Sequence, residues 1–115
     1  MTGELFATLS KHTILGALMS DASGTFHEEA FGMGIAAGKT AGDQLLHKLF
    51  HVRTLPLFGK LPNEAVADYL SGLLIGAEFQ TAQHLCSDQT PVTIVGRDDL
   101  ADRYEVGLHL SLIHI

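Results

Sequence analysis

The sequence predicts a mostly α-helical segment of an α/β fold, with one clear β-strand over residues 92–95. Apolar residues recur at intervals of three and four along most of the chain, the repeat of an amphipathic helix. Only Val92-Thr93-Ile94-Val95 reads differently: it is β-branched and closed by Gly96, as a buried strand would be. A lone strand leaves backbone donors and acceptors unpaired on both edges, and even a two-stranded hairpin is marginal in water. A strand of this kind belongs to a parallel sheet whose other strands are not in these 115 residues. The expected object is a piece of something larger.

Each element follows from local signals. Residues 2–11 form a first helix, with Thr2 as N-cap, Glu4 in the first turn and Leu5, Phe6 and Leu9 as its apolar stripe. Ile14–Met19 stays apolar until Ser20–Gly24 breaks it. Thr25 and Glu28 then make a capping box for a second helix that runs to about Gly38. A third helix over 43–52 turns Leu45, Leu46, Leu49, Phe50 and Val52 inward. Residues 53–62, rich in turn formers, connect it to the longest helix, from Pro62 to about Leu85. Val66, Tyr69, Leu70, Leu73, Leu74 and Ala77 give that helix a broad buried face. After the strand, a last helix starts at Asp98 as N-cap and continues to about Leu108.

Composition narrows the function classes. The chain has the length of one domain, with 46% hydrophobic and 17% charged residues, which is globular rather than disordered. A net charge of −6 with seven scattered basic residues argues against nucleic acid or an anionic membrane as partner. Cys86 is the only cysteine, so an intrachain disulfide and a Cys-rich zinc site are excluded. No basic stretch precedes an apolar one at the N-terminus, and the most apolar run, Leu73–Ala77, is far below the ~20 residues of a membrane span. A cytoplasmic protein is expected.

Several side-chain groupings invite chemistry and are better read as structure. His47 and His51 are four apart on one helix, but lack the glutamate of an HExxH motif and sit among polar neighbours, so a solvated face is preferred to a metal site. His27, Glu28 and Glu29 occupy a helix's first turn, where acids need no catalytic explanation. Ser10 and His12 lack a third triad member. Gly32, Gly34 and Gly38 miss the GxGxxG spacing and follow a helix start, so close helix contact is the preferred reading. Gly72 and Gly76 each cost about 1 kcal/mol in a helix interior, which requires close backbone approach by another element to offset it. Ser71 and Glu78, seven apart, share a face, and a structural role is preferred for Glu78. Gly96 is explained by a tight turn, yet the C-terminal end of a strand is also where open α/β sheets bind ligands.

Four ordered blocks go further together than any one alone. "MTGELFATLSKHTILG", "LLHKLFHVRTLPLFGKLP", "YLSGLLIGAE" and "TIVGRDDLADRY" resemble, in order and spacing, the 2-dehydro-3-deoxygalactonokinase family of bacterial galactonate breakdown. The resemblance covers residues 1–108. It implies an actin- and hexokinase-like two-lobed fold holding ATP and the sugar acid between the lobes. It also implies transfer of the γ-phosphoryl of ATP to the 6-hydroxyl of 2-dehydro-3-deoxygalactonate, with Mg²⁺ bridging phosphate oxygens.

By that resemblance, residues 1–110 are part of the second lobe. The Asp-x-Gly phosphate loop and a Gly-Thr-His segment would precede Met1, so the catalytic groups and any metal ligand are expected outside this segment, and the N-terminal lobe is the missing covalent partner. Thr2, Gly3 and Glu4 would lie by the cleft. Gly96 would approach the nucleotide, Gly72 and Gly76 would press the long helix against the sheet, and Arg53 would mark a helix–loop junction. Residues 111–115 depart from the family and read as a non-native tail, any strand there being accidental. Two other readings stand beside this one: a small helical interaction domain without catalysis, and a kinase for a related 2-keto-3-deoxy sugar acid. The isolated segment is expected to be inactive.

Overall fold

The computed structural model describes residues 2–13, 15, 26–85 and 93–113. Among them are five α-helices: α1 (Thr2–His12), α2 (Glu28–Lys39), α3 (Leu45–Leu57), α4 (Val66–Leu85) and α5 (Asp98–Ile113). Short 3₁₀ turns, Gly42–Gln44 and Asn63–Ala65, lead into α3 and α4.

Helix α4 is the axis of the fold. Val66, Leu70, Leu73 and Ile75 are almost fully buried along it, so it is apolar nearly all round and needs neighbours on more than one side. On one side Tyr69, Leu70, Leu73 and Leu74 join Val52 of α3, with Phe6, Leu9, Leu45 and Leu49 packed at the margin. On another, Ile75 and Phe79 join Phe31 and Ile35 of α2 and are covered by Tyr104, Val106, Leu108 and Leu110 of α5. The Phe79 and Tyr104 rings meet edge to face, 5.9 Å between centroids.

Glycines set the crossing of α2 and α4. A Cβ at Gly34 would strike the Tyr69 carbonyl and lie 2.8 Å from Leu73 N, and one at Gly38 would strike the Leu73 carbonyl and lie 2.7 Å from Ala77 N. Reciprocally, a Cβ at Gly72 would meet the Phe31 carbonyl, and one at Gly76 would lie 3.0 Å from Ile35 Cα. The two helices touch backbone to backbone, which gathers dispersion contacts along their whole crossing. The close partner of Gly72 and Gly76 is thus a helix; no sheet lies among the described residues.

The expected strand is not formed. Thr93–Val95 has no regular structure and Val92 lies outside the described residues. A strand gains its stability from the ladder beside it, and no strand to pair with lies among the described residues. Ile94 is half-buried and Val95 exposed. The third helix also differs from expectation. It continues five residues past 52 and carries Pro56 in its last turn, where proline removes only one helical hydrogen bond. The helix is closed by Gly59 at φ +70°, with Gly59 N donating to Pro56 O and Lys60 N to Leu55 O, a Schellman stop. Leu46 and Phe50, expected inside, face outward at 82% and 57% exposure. Leu45, Leu49 and Val52 already fill the helical face that meets α4, and the adjacent positions are turned away from it.

Two further expectations meet the edge of the described region. Thr25, half of the expected capping box, lies outside the described residues; α2 begins after His27, which makes no side-chain cap. The last helix runs on to Ile113, so Ser111–Ile113 is helical where an accidental strand was expected, and 114–115 are not described.

Candidate functional site

The ends of α1 and α5 meet over the middle of α4 and enclose a groove of about 620 Å³. Thr2, Gly3 and Glu4 supply one wall, Arg97, Asp99, Leu100 and Arg103 the other, and Ser71, Leu74 and Ile75 the floor. Gly3 approaches α5 closely: a Cβ there would sit 3.8 Å from Leu100 Cδ2, an ordinary van der Waals contact.

Arg103 is the best-anchored charge in this groove. Its Nη2 lies 2.9 Å from Asp68 Oδ1, and the Asp68 side chain is only 8% exposed. The other carboxylate oxygen, Oδ2, accepts the backbone N–H of His27 at 2.9 Å. A carboxylate this buried requires such partners, since its desolvation is costly. The guanidinium also lies over the Phe26 ring at 5.0 Å and near the Phe31 ring at 6.0 Å. His27 is drawn into the same cluster, and its Nε2 is buried without a hydrogen-bond partner among the described residues. Arg97, by contrast, forms a solvated pair with Asp99 at 3.5 Å, with both side chains more than 70% exposed.

Beyond one end of the groove, Glu78 Oε2 accepts two hydrogen bonds, from Thr2 Oγ1 at 2.8 Å and from the Tyr104 phenol at 2.5 Å. Burial, then the hydrogen bond to Glu78 and its negative charge, push the Tyr104 phenol up to about 12, with the Thr2 contact pulling slightly the other way. Tyr104 therefore stays protonated and a donor at neutral pH. Glu78 and Thr2 also line a second, shallower groove of about 460 Å³ with Leu5, Leu45 and Leu85.

The structure brings together some of the sequence candidates and separates others. Thr2, Gly3 and Glu4 lie on one wall and Ser71 on the floor of the same groove. Gly96 is exposed on the approach to α5, just before Arg97; a Cβ there would meet open space, so no local contact requires glycine. Arg53 is exposed on α3, away from the groove lining. The His47 and His51 rings meet at a tilt, 4.5 Å between centroids, and no group of three His, Cys, Asp or Glu able to hold a metal occurs among the described residues. The Ser10 hydroxyl is spent on Phe6 O and Ala7 O of its own helix. No helix among the described residues is long and apolar enough to cross a membrane.

Asp68 and Arg103 went unnoticed in the sequence. One signal was legible: Asp68 stands beside Val66 and Tyr69 on the apolar face of the longest helix, where a carboxylate must find a partner. Its partner is 35 residues away in sequence, and only the fold brings the two together.

Comparison with known proteins adds an independent line. The profile of the family described as 2-keto-3-deoxy-galactonokinase matches residues 1–114. A 2-dehydro-3-deoxygalactonokinase of Escherichia coli (strain K12) is 36% identical over 105 residues, which covers 91% of this chain and 35% of that protein. A protein of Rhizobium meliloti (strain 1021), named Probable 2-dehydro-3-deoxygalactonokinase DgoK1, is 35% identical over 120 residues, covering 100% of this chain and 38% of that one. The chain thus spans little more than a third of the length of these relatives. No solved structure matches it significantly.

Proposed function

This chain belongs to the 2-keto-3-deoxy-galactonokinase family, and from that premise we propose that it forms part of the second lobe of a sugar-acid kinase. The reaction is transfer of the γ-phosphoryl group of ATP to the 6-hydroxyl of 2-dehydro-3-deoxy-D-galactonate. The hydroxyl oxygen forms the new bond to phosphorus, the bond to the ADP oxygen breaks, and the hydroxyl proton passes to a base. Residues 1–110 are read as the native part of that lobe and 111–115 as a foreign tail, within an actin- and hexokinase-like parent in the cytoplasm.

The observation that carries this reading is the family match across residues 1–114, supported by identity of 36% over 105 residues to a relative named as this kinase. The groove suits a small anionic sugar. It sets the Arg103 guanidinium, held by Asp68, across from Thr2, Gly3 and Glu4, with hydroxyl and backbone groups within the same lining. A carboxylate at this position would meet a cation whose orientation is already decided, which limits the entropy lost on binding. Gly96, with open space at its Cβ position, is assigned to the approach of the nucleotide. No cluster of three His, Cys, Asp or Glu side chains occurs among the described residues. The phosphate grip, the metal and the base are assigned to parts of the kinase outside this segment.

The test is phosphorylation by the complete protein, supplied with ATP, Mg²⁺ and either 2-dehydro-3-deoxygalactonate or its C4 epimer, with the product's phosphate position read by NMR. Expected is a 6-phosphorylated galactonate derivative formed faster than its epimer, and no turnover by the 115-residue chain alone. Faster reaction of the epimer would move the assignment to a related sugar-acid kinase. No phosphoryl transfer to either would leave a helical interaction domain as the reading.

A further inference from the structure

Three side chains from three helices meet on one oxygen atom. Thr2 belongs to the first turn of α1, Glu78 to the middle of α4 and Tyr104 to the middle of α5, and both hydroxyls donate to Glu78 Oε2. Glu78 follows Ser71 by two turns on the same face of α4, about 10 Å along the axis. The carboxylate therefore stands just past the groove whose floor holds Ser71, whose one wall begins at Thr2 and whose other wall is α5.

Glu78 is exposed. Local helix stability does not call for it. Two hydroxyl donors converging on one oxygen do something different, because hydrogen bonds are directional. They hold the start of α1 and the body of α5 at one point.

We propose that Glu78 is a positioning residue: through Thr2 and Tyr104 it sets the separation of the two groove walls, and with it the affinity of the kinase for its sugar acid. This rests on the groove being part of the sugar-acid cleft. The role needs an acceptor oxygen and not a negative charge, which separates it from a catalytic base. Glu78→Gln keeps an oxygen that can accept from both hydroxyls, whereas Glu78→Ala keeps none. Tyr104→Phe and Thr2→Val each remove one donor with almost no change of shape.

The experiment compares these four variants with the wild type in the complete enzyme, reading KM for the sugar acid, KM for ATP and kcat. Loss of both hydrogen bonds in Glu78→Ala should raise KM for the sugar acid about tenfold, with KM for ATP and kcat nearly unchanged. Tyr104→Phe and Thr2→Val should each give part of that rise, and Glu78→Gln should stay close to wild type. A Glu78→Gln enzyme as impaired as Glu78→Ala, a fall in kcat alone, or unmoved KM in all four would overturn the assignment. In the 115-residue chain, with Tyr69→Phe as background so that a single phenol reports, Glu78→Ala should bring Tyr104 titration down from about 12 toward the ordinary value. An unmoved titration would show that the tie is not made. If the wild-type enzyme does not phosphorylate the acid, the functional reading and this role fall together; if it does and the variants match it, the role alone falls.

Discussion

The Asp68 carboxylate holds Arg103 at 2.9 Å with one oxygen and the His27 backbone with the other, so α4, α5 and the start of α2 share one buried charge. Removing one partner of such a pair costs more than the pair contributes, because the remaining charge is stranded. Arg103→Ala should therefore destabilise the protein by about 3 kcal/mol, whereas the double substitution Asp68→Asn with Arg103→Ala should recover part of the loss. Urea denaturation of the wild type and the two variants measures this, and a smaller loss in the single variant than in the double would contradict it.

Helix crossing makes a second, sharper contrast. Ala is favoured over Gly in a helix by about 1 kcal/mol, so Gly32→Ala, with only an ordinary contact to Leu110 ahead of it, should raise the melting temperature. Gly72→Ala and Gly76→Leu should lower it, since the added Cβ runs into the backbone of α2 and overpacking costs about 1–3 kcal/mol or more. Equal effects at the three positions would mean that the backbones do not touch.

Alkaline stability should report Tyr104. Its folded-state pKa of about 12 lies above the unfolded value of 10, so the folded protein holds that proton more tightly. The associated stability is complete below pH 10 and is lost as pH rises toward 12. Burial raises Tyr69 in the same direction. Melting curves across this range should fall less steeply for Tyr104→Phe than for the wild type, and identical slopes would remove the argument.

Gly96 separates structure from ligand. A Cβ there meets open space, so Gly96→Ala should leave the melting temperature of the chain within about 3 °C, in keeping with surface substitutions. Should the complete kinase then bind ATP more weakly with unchanged folding, the loss belongs to the nucleotide contact. Unchanged ATP affinity would withdraw the assignment.

Much of the architecture was readable from residue order. The long apolar helix, the glycines within it and the first helix are local patterns, set by period and backbone propensity. The C-terminal end of α3 was drawn too early, at residue 52, because the turn formers after it read as a connection; Pro56 in the last turn removes only one bond, and Gly59 ends the helix. The strand failed for the opposite reason. Val92–Val95 has every local mark of a strand, but a strand is a relationship between segments, and no partner strand lies among the described residues.

The groove divides along the same line. Thr2, Gly3 and Glu4 could be singled out as a string. That they face Arg103 follows from α1 and α5 both resting on α4, whose course is set by four glycines in contact with another backbone. By itself the sequence determined which segments are helical, which faces are apolar and which family the chain resembles, because those follow from neighbours in the chain. Only the tertiary structure decided which charges meet and which hydroxyls share an oxygen. Asp68 and Arg103, or Thr2, Glu78 and Tyr104, lie 26 to 102 residues apart, and their meeting depends on how helices cross and not on local propensity.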